Sequence, residues 1–274
     1  MRQLHVAVAQ INAVAGNPRG NLQRMLKQIQ SAAAVGVEVI LFSETSIHSY
    51  DLSAETLALA EPANGPLSAQ LLAWAREYHI AILAGCWERD GALLYNSHLV
   101  AQPDGTLGVQ RKHAITPSEI AAGISPGARE RTVFEFNGVR TALIICADGG
   151  IEGLADDLAA QGIEYRFCPT AGGGNIGGKP IPYIHEQELD EPEQRELYEK
   201  YRNYVYLRQA ILSEEECPVC GFAAANALGF DGRSVTHMGH CMIVDNQRVL
   251  RAQIPGTLVL EHLQEQMVHA LLSF

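Results

Sequence analysis

Apolar and polar positions along this chain alternate between a helical and an extended period. The opening run Val6-Ala-Val-Ala-Gln10, flanked by His5, predicts a first strand rather than a signal peptide. Asn17-Pro18 then reads as helix cap and first helical position, and Leu22, Met25, Leu26 and Ile29 recur at helical spacing until Gly36. Residues 37–44 predict a strand, a helix over 67–78 leads into a strand over 80–86, and Leu93 to Ala101 forms another strand closed by Pro103-Asp-Gly105. Asn137-Gly138 is a hairpin signal joining a strand over 132–136 to one over 139–146. Further on, the pattern predicts a helix over 153–161, a strand over 165–169 and a long amphipathic helix over 191–212. Strands over 219–226 and 241–245 follow, and a final helix is expected over 258–272.

Two segments echo one another. Residues 36–44 and 162–170 each follow a strand–helix pair. Two related β-α-β halves interleaved with hairpins predict an α/β protein with two mixed β-sheets packed together, each covered by helices. No proline-, serine- or charge-rich linker interrupts the pattern, so residues 1–274 read as a single domain.

Composition narrows the function. Hydrophobic residues make up 47% of the chain, enough for a sizeable core, and the net charge of -11 argues against a nucleic-acid or anionic-membrane partner. No segment approaches the length of a transmembrane helix. Six cysteines at irregular spacings, positions 86, 146, 168, 217, 220 and 241, suggest reduced thiols in a cytoplasmic protein.

Cys146 stands out among them because an apolar strand runs out there into Ala147-Asp-Gly-Gly150. A lone cysteine in a strand ordinarily serves as a small buried hydrophobe, whereas one at a strand's carboxyl end can meet a base and a substrate. Glu44 ends its own strand in the same way, and Lys112 follows another. Alone, Glu44 reads as a rim charge and Lys112 as a solvated one. Together with Cys146 they complete a hydrolytic cycle. A carboxylate takes the thiol proton and returns it to the leaving amine, while an ammonium beside the Ala147 N–H stabilises the developing anion.

With these three residues in view the chain resembles the nitrilase superfamily, the carbon–nitrogen hydrolases. The resemblance runs from Val6–Gln10 and Asn21-Leu22 through Leu41-Phe-Ser-Glu44, Arg111-Lys-His113 and Ile144-Ile-Cys-Ala-Asp148 to Gly239-His-Cys-Met-Ile-Val-Asp245. It implies a four-layer α-β-β-α sandwich that pairs into homodimers or larger homo-oligomers. It assigns Glu44 as general base, Lys112 as stabiliser of the tetrahedral intermediate and Cys146 as nucleophile. Glu119, seven residues past Lys112, would position substrate or lysine; His113 would support Lys112, and Tyr50 and Thr170 are candidate substrate contacts. The implied substrate is a small amide or carbamoyl compound, with no cofactor and no metal. Nitrile hydrolysis by the same triad, acyl transfer to an acceptor other than water, and a non-catalytic binding protein of the same fold are the alternatives.

Three departures matter. Ser43 stands where the family usually has proline, Ala114 where leucine is common, and Ala147-Asp-Gly-Gly-Ile-Glu152 replaces the aromatic and arginine residues that often follow the nucleophile. The Cys-x-Asp form leans towards amidase-like members.

Other signals compete. Cys217 and Cys220 followed by His237 and His240 superficially match a Cys₂His₂ zinc pattern, but the spacing is long and a strand would separate the ligands. Gly173 to Lys179 fits part of a phosphate-binding loop, yet Pro180 occupies the Ser/Thr position, so a mobile loop beside the cleft is the better reading. His113 and His185 are the candidates for a Cys-His arrangement, without a signature tying either to Cys146.

Overall fold

The protein is described by a computed structural model covering residues 1–176, 179–200, 220–230 and 235–274. Its strands in chain order are β1 (Gln3–Gln10), β2 (Val39–Leu41), β3 (Ala81–Asp90), β4 (Leu93–Ala101), β5 (Leu107–Arg111), β6 (Val133–Phe136), β7 (Val139–Leu143) and β8 (Tyr165–Thr170). They continue as β9 (Gly173–Ile176), β10 (Lys179–Pro180), β11 (Gly221–Asn226), β12 (Leu228–Phe230), β13 (Thr236–Met238), β14 (Cys241–Val244), β15 (Leu250–Ile254) and β16 (Gln266–Ser273). The helices are α1 (Pro18–Ala34), α2 (Ala54–Leu57), α3 (Pro66–Tyr78), α4 (Pro117–Ala121) and α5 (Leu154–Ala160).

Local chemistry starts and stops these elements as the sequence predicts. Asn17 caps α1 by accepting the Gly20 N–H at 3.0 Å, Pro18 sits at the first turn, and Gly36 follows the helix at φ 76. Of the stripe read from spacing, α1 buries Leu22, Met25 and Ile29 and half-buries Leu26; Ala32 is buried beside them. Between Phe136 and Val139, Asn137 and Gly138 both take positive φ, the turn that a two-residue hairpin demands.

Two six-stranded sheets carry the fold, in the orders β16-β1-β2-β3-β4-β5 and β15-β14-β11-β8-β7-β6. Read from β16 and from β6, both run antiparallel, parallel, parallel, antiparallel, antiparallel. β2 and β8, the strands of the echoed segments, thus occupy equivalent places. Leu4, Val6, Val8, Leu83, Val139, Phe167, Ala223 and Ile243 fill the layer between the sheets. α1 and α3 cover the first sheet through Met25, Ile29, Leu71 and Trp74, and α5 covers the second through Leu154 and Leu158. The result is the α-β-β-α sandwich. Each large side chain buried in these layers contributes about 1.5–3 kcal/mol.

Several elements differ from the periodic reading. Residues 266–273 form a strand, not the end of a helix, and pair with all of β1 from Gln3↔Ser273 to Gln10↔Gln266. Val268, Ala270 and Leu272 turn towards the inter-sheet layer while His269 and Leu271 are exposed, a period of two. Met267, on the other face, packs against the helix-side core. Apolar residues on both faces therefore imitated a helical stripe, and pairing with β1 decided the matter. β2 is shorter than expected, ending at Leu41, and β7 ends at Leu143 rather than Cys146. Gly173–Ile176 is a strand paired with β13, not a loop. Residues 192–200 are helical; the rest of the helix predicted to 212, together with Cys217, lies outside the described residues. No helix among the described residues is long and apolar enough to cross a membrane.

Candidate active site

Glu44 lies three residues beyond β2, in a turn stitched onto β3. Ile47 N donates to Gly85 O at 2.9 Å, Gly85 N to Ser46 Oγ at 3.2 Å, and Trp87 N to His48 Nδ1 at 3.2 Å. Gly85 is required for this approach. A Cβ there would overlap the Thr45 nitrogen and lie 2.9 Å from both the Glu44 carbonyl carbon and the Ser43 oxygen. The glycine inside a strand was the available sequence signal. Across the sheet interface, Glu44 N donates to Thr170 O at 3.3 Å and Ala171 N donates to Glu44 Oε2 at 2.9 Å. The ends of the two echoed strands therefore meet at the glutamate.

Lys112, one residue past β5, is fully buried and directs its ammonium between two carboxylates. Nζ lies 2.8 Å from Glu44 Oε1 and 3.0 and 2.9 Å from the two oxygens of Glu119. Glu119 is delivered by α4, whose capping box with Thr116 fixes the turn. Thr116 N donates to Glu119 Oε2 at 2.9 Å, and Glu119 N to Thr116 Oγ1 at 3.3 Å. Asn96, on β4, completes the group by donating from Nδ2 to Glu44 Oε1 at 2.8 Å and to Glu119 Oε1 at 2.7 Å. The Tyr50 ring faces the ammonium at 5.9 Å and packs against Trp87 at 5.8 Å.

Burial and charge push these groups apart. Burial raises the Glu44 carboxyl above its ordinary value, partly offset by Lys112. Burial also works against Glu119, yet Lys112, the Thr116 N–H and Asn96 outweigh it and hold Glu119 below the ordinary range. Burial disfavours the Lys112 ammonium, but Glu44 and the surrounding negative groups raise it overall.

Cys146 begins a 3₁₀ turn (Cys146–Gly150) with φ 48, a left-handed backbone rarely taken by a residue with a side chain. The turn places the thiol within reach of the Glu44 charge, beside the Ala171 N–H that donates to Glu44 Oε2. Cys146 keeps some accessible surface, but enclosure of its sulfur, then the Glu44 charge, pushes the thiol up to about 12. The thiol is thereby held protonated.

Ala147, half-buried in the same turn, follows directly. Asp148 is fully buried and ties three segments together. Its Oδ1 accepts the N–H groups of His113 (2.9 Å) and Ala114 (2.7 Å), and its Oδ2 pairs with Arg131 at 2.6 Å. The Arg131 guanidinium also donates to Ala128 O at 3.0 Å and Arg129 O at 2.7 Å. The nucleophile turn is thereby fastened to the backbone that follows Lys112.

Glu44, Lys112, Glu119 and Cys146 are brought together; the remaining expected residues surround or leave the cluster. His113 is anchored by its ring to Gly127 O at 2.9 Å. Thr170 is buried and donates to Asn226 Oδ1 at 2.9 Å. His185 is exposed and pairs with Glu261 at 2.8 Å. His237 and His240 are buried, and among the described residues no group of three His, Cys, Asp or Glu side chains is disposed to hold a metal. Sequence reasoning missed Asn96, Asp148 with Arg131, Gly85 and the Ala171 N–H. Asn96 did leave a trace, since Asn96-Ser-His98 interrupts an otherwise apolar strand.

Known proteins share this arrangement of sheets. A CN-hydrolase superfamily protein from Xanthomonas campestris superposes with a TM-score of 0.78 at 19% identity, covering 100% of this chain and 91% of that one. An amidase of the nitrilase superfamily from Nesterenkonia AN1 gives 0.74 at 17% identity, covering 98% and 90%. In sequence, an (R)-stereoselective amidase from Pseudomonas sp. is 30% identical over 161 residues, 59% of this chain and 58% of that protein. A citrullinase from Francisella tularensis is 29% identical over 189 residues, 66% and 64%. A nitrilase from Pyrococcus abyssi is 28% identical over 168 residues, 60% and 64%. These matches thus span less than two thirds of each relative's length. The Carbon-nitrogen hydrolase family model, by contrast, matches residues 5–257, from β1 past β15, and the chain belongs to that family.

Proposed function

We propose that the protein hydrolyses a non-peptide C–N bond in a small amide or carbamoyl compound, releasing an acid and ammonia or an amine. The observation that carries this reading is the Cys146 thiol held against Glu44 while Lys112 bridges Glu44 to Glu119. Cys146 Sγ attacks the carbonyl carbon as its proton passes to Glu44. The Lys112 ammonium and the Ala147 N–H stabilise the oxyanion. Lys112 makes two bonds to Glu119, so turning one N–H to the substrate leaves it anchored. The C–N bond then breaks, the departing nitrogen takes the proton from Glu44, and a thioester remains on Cys146. Water, deprotonated by Glu44, hydrolyses the thioester and restores the thiol. The amidase, citrullinase and nitrilase among the similar proteins support this substrate range.

Intact-protein mass spectrometry after exposure to pooled amides, carbamoyl compounds and nitriles tests the reading. An acyl adduct on Cys146 is expected, absent in Cys146→Ala, together with ammonia release that the variant loses. Full ammonia release by Cys146→Ala would sink the mechanism. A nitrile substrate would announce itself by a thioimidate on the same cysteine.

A further inference from the structure

We infer that Asn96 is a positioning residue that directs the thiol proton to one atom, Oε2 of Glu44. The inference rests on the proposed role of Glu44 as base and comes from counting donors around the two carboxylates. Each carboxylate oxygen accepts about two hydrogen bonds. Among the described residues, Glu119 is full: Oε1 receives Lys112 and Asn96, and Oε2 receives Lys112 and the Thr116 N–H. Glu44 Oε1 is full as well, receiving Lys112 and Asn96. Glu44 Oε2 receives the Ala171 N–H alone among the described residues, so by elimination it is the oxygen left to take the Cys146 proton.

Asn96 decides this outcome because it is neutral and splits its two amide hydrogens between the carboxylates. Lys112 spends all three of its hydrogens on the same pair. Without Asn96, Oε1 of each glutamate would have an open site, and the buried cluster would offer three places for one proton. The bond to Glu119 has a second use. When Lys112 turns a hydrogen to the substrate oxygen, Asn96 keeps Glu119 Oε1 satisfied, so Glu119 stays ionised while Glu44 carries the proton. The charged and titratable groups facing Glu44 are Lys112 after β5, Glu119 on α4, Cys146 in its turn and Tyr50 after β2. Asn96 is the amide placed between the two carboxylates.

The test follows the pH dependence of Cys146 alkylation by iodoacetamide, read at peptide level by mass spectrometry so that the other cysteines do not interfere. In the wild type the rate falls on the acid side as Glu44 takes a proton. Asn96→Leu removes both donors and is expected to move that acid limb up by about one pH unit, the loss of one hydrogen bond to a charged group. Asn96→Asp keeps the shape, places a third carboxylate in the cluster, and is expected to shift the limb further in the same direction. It decides the question should the leucine variant fail to fold. A folded variant of either kind with the wild-type limb overturns the inference, whatever its thermal stability, because a merely structural role moves stability and not the limb. Glu44→Gln separates the two ideas. If it alkylates with the wild-type profile, Glu44 is not the base; if it loses the limb while the Asn96 variants keep it, only the role of Asn96 falls.

Discussion

At the end of β2 the first sheet presents Glu44; at the equivalent end of β8 the second presents Thr170. The surroundings diverge in the same sense. Glu44 is enclosed with a second carboxylate, an ammonium and the Asn96 amide. The described side-chain bonds at Thr170 are to neutral groups: its hydroxyl donates to Asn226 Oδ1, and Asn226 Nδ2 donates to Gly172 O at 2.9 Å and Gly239 O at 2.6 Å. One strand plan thus ends twice, once on a buried carboxylate and once on a buried hydroxyl. The second half contributes the nucleophile, from the turn after β7, and keeps its own buried charges Asp148 and Arg131 paired with one another. The difference teaches why Glu44 needs so many partners. A buried ion is tolerated only when neighbours replace the water it has lost, whereas a buried hydroxyl asks for a single hydrogen bond.

The comparison is broken most severely by Lys112→Met, which leaves two buried carboxylates facing one another. Urea unfolding is expected to show a loss of about 3–5 kcal/mol. Ammonia release should fall by about a thousandfold or more. A loss within experimental error in both would mean that the cluster is not held by its central charge. A smaller effect is expected for Gly85→Ala, whose added methyl strikes backbone rather than a movable side chain. About 1–3 kcal/mol of stability should be lost, with slower Cys146 alkylation because the Glu44 turn is pushed off β3. Wild-type alkylation with unchanged stability would show that the turn has room the geometry denies it. Smallest is Thr170→Val at the end of β8. It should cost about 1 kcal/mol in thermal unfolding and leave the acid limb of alkylation in place, since no charge is touched. A shifted limb would erase the distinction between the two strand ends.

Much of this was legible from residue order. The strand–helix alternation, the echo of residues 36–44 in 162–170, and the placing of Glu44, Lys112 and Cys146 after separate strands depend on local patterns, which a sequence displays directly. The short helix bearing Glu119 was not predicted, although Thr116-Pro117 and the capping glutamate mark it in the sequence. What stayed hidden are contacts between residues distant along the chain. Asn96 reaches Glu44 across 52 positions, and Arg131 reaches Asp148 across 17, with no periodicity to mark either. β16 was misjudged for the same reason, because its strand character resides in β1.

That last pairing has a consequence for how the molecule assembles. His5 on β1 lies against His269 on β16, 264 positions away, and Arg2 and Phe274 exchange backbone hydrogen bonds beside them. The first sheet is therefore interrupted in the chain by the whole of the second. Its outer strand follows β6 to β15 in the chain, so the first sheet can be completed only after the second has been synthesised. Loop closure over so long a separation is slow. Completion of the first sheet is therefore expected to be a late, non-local step of folding.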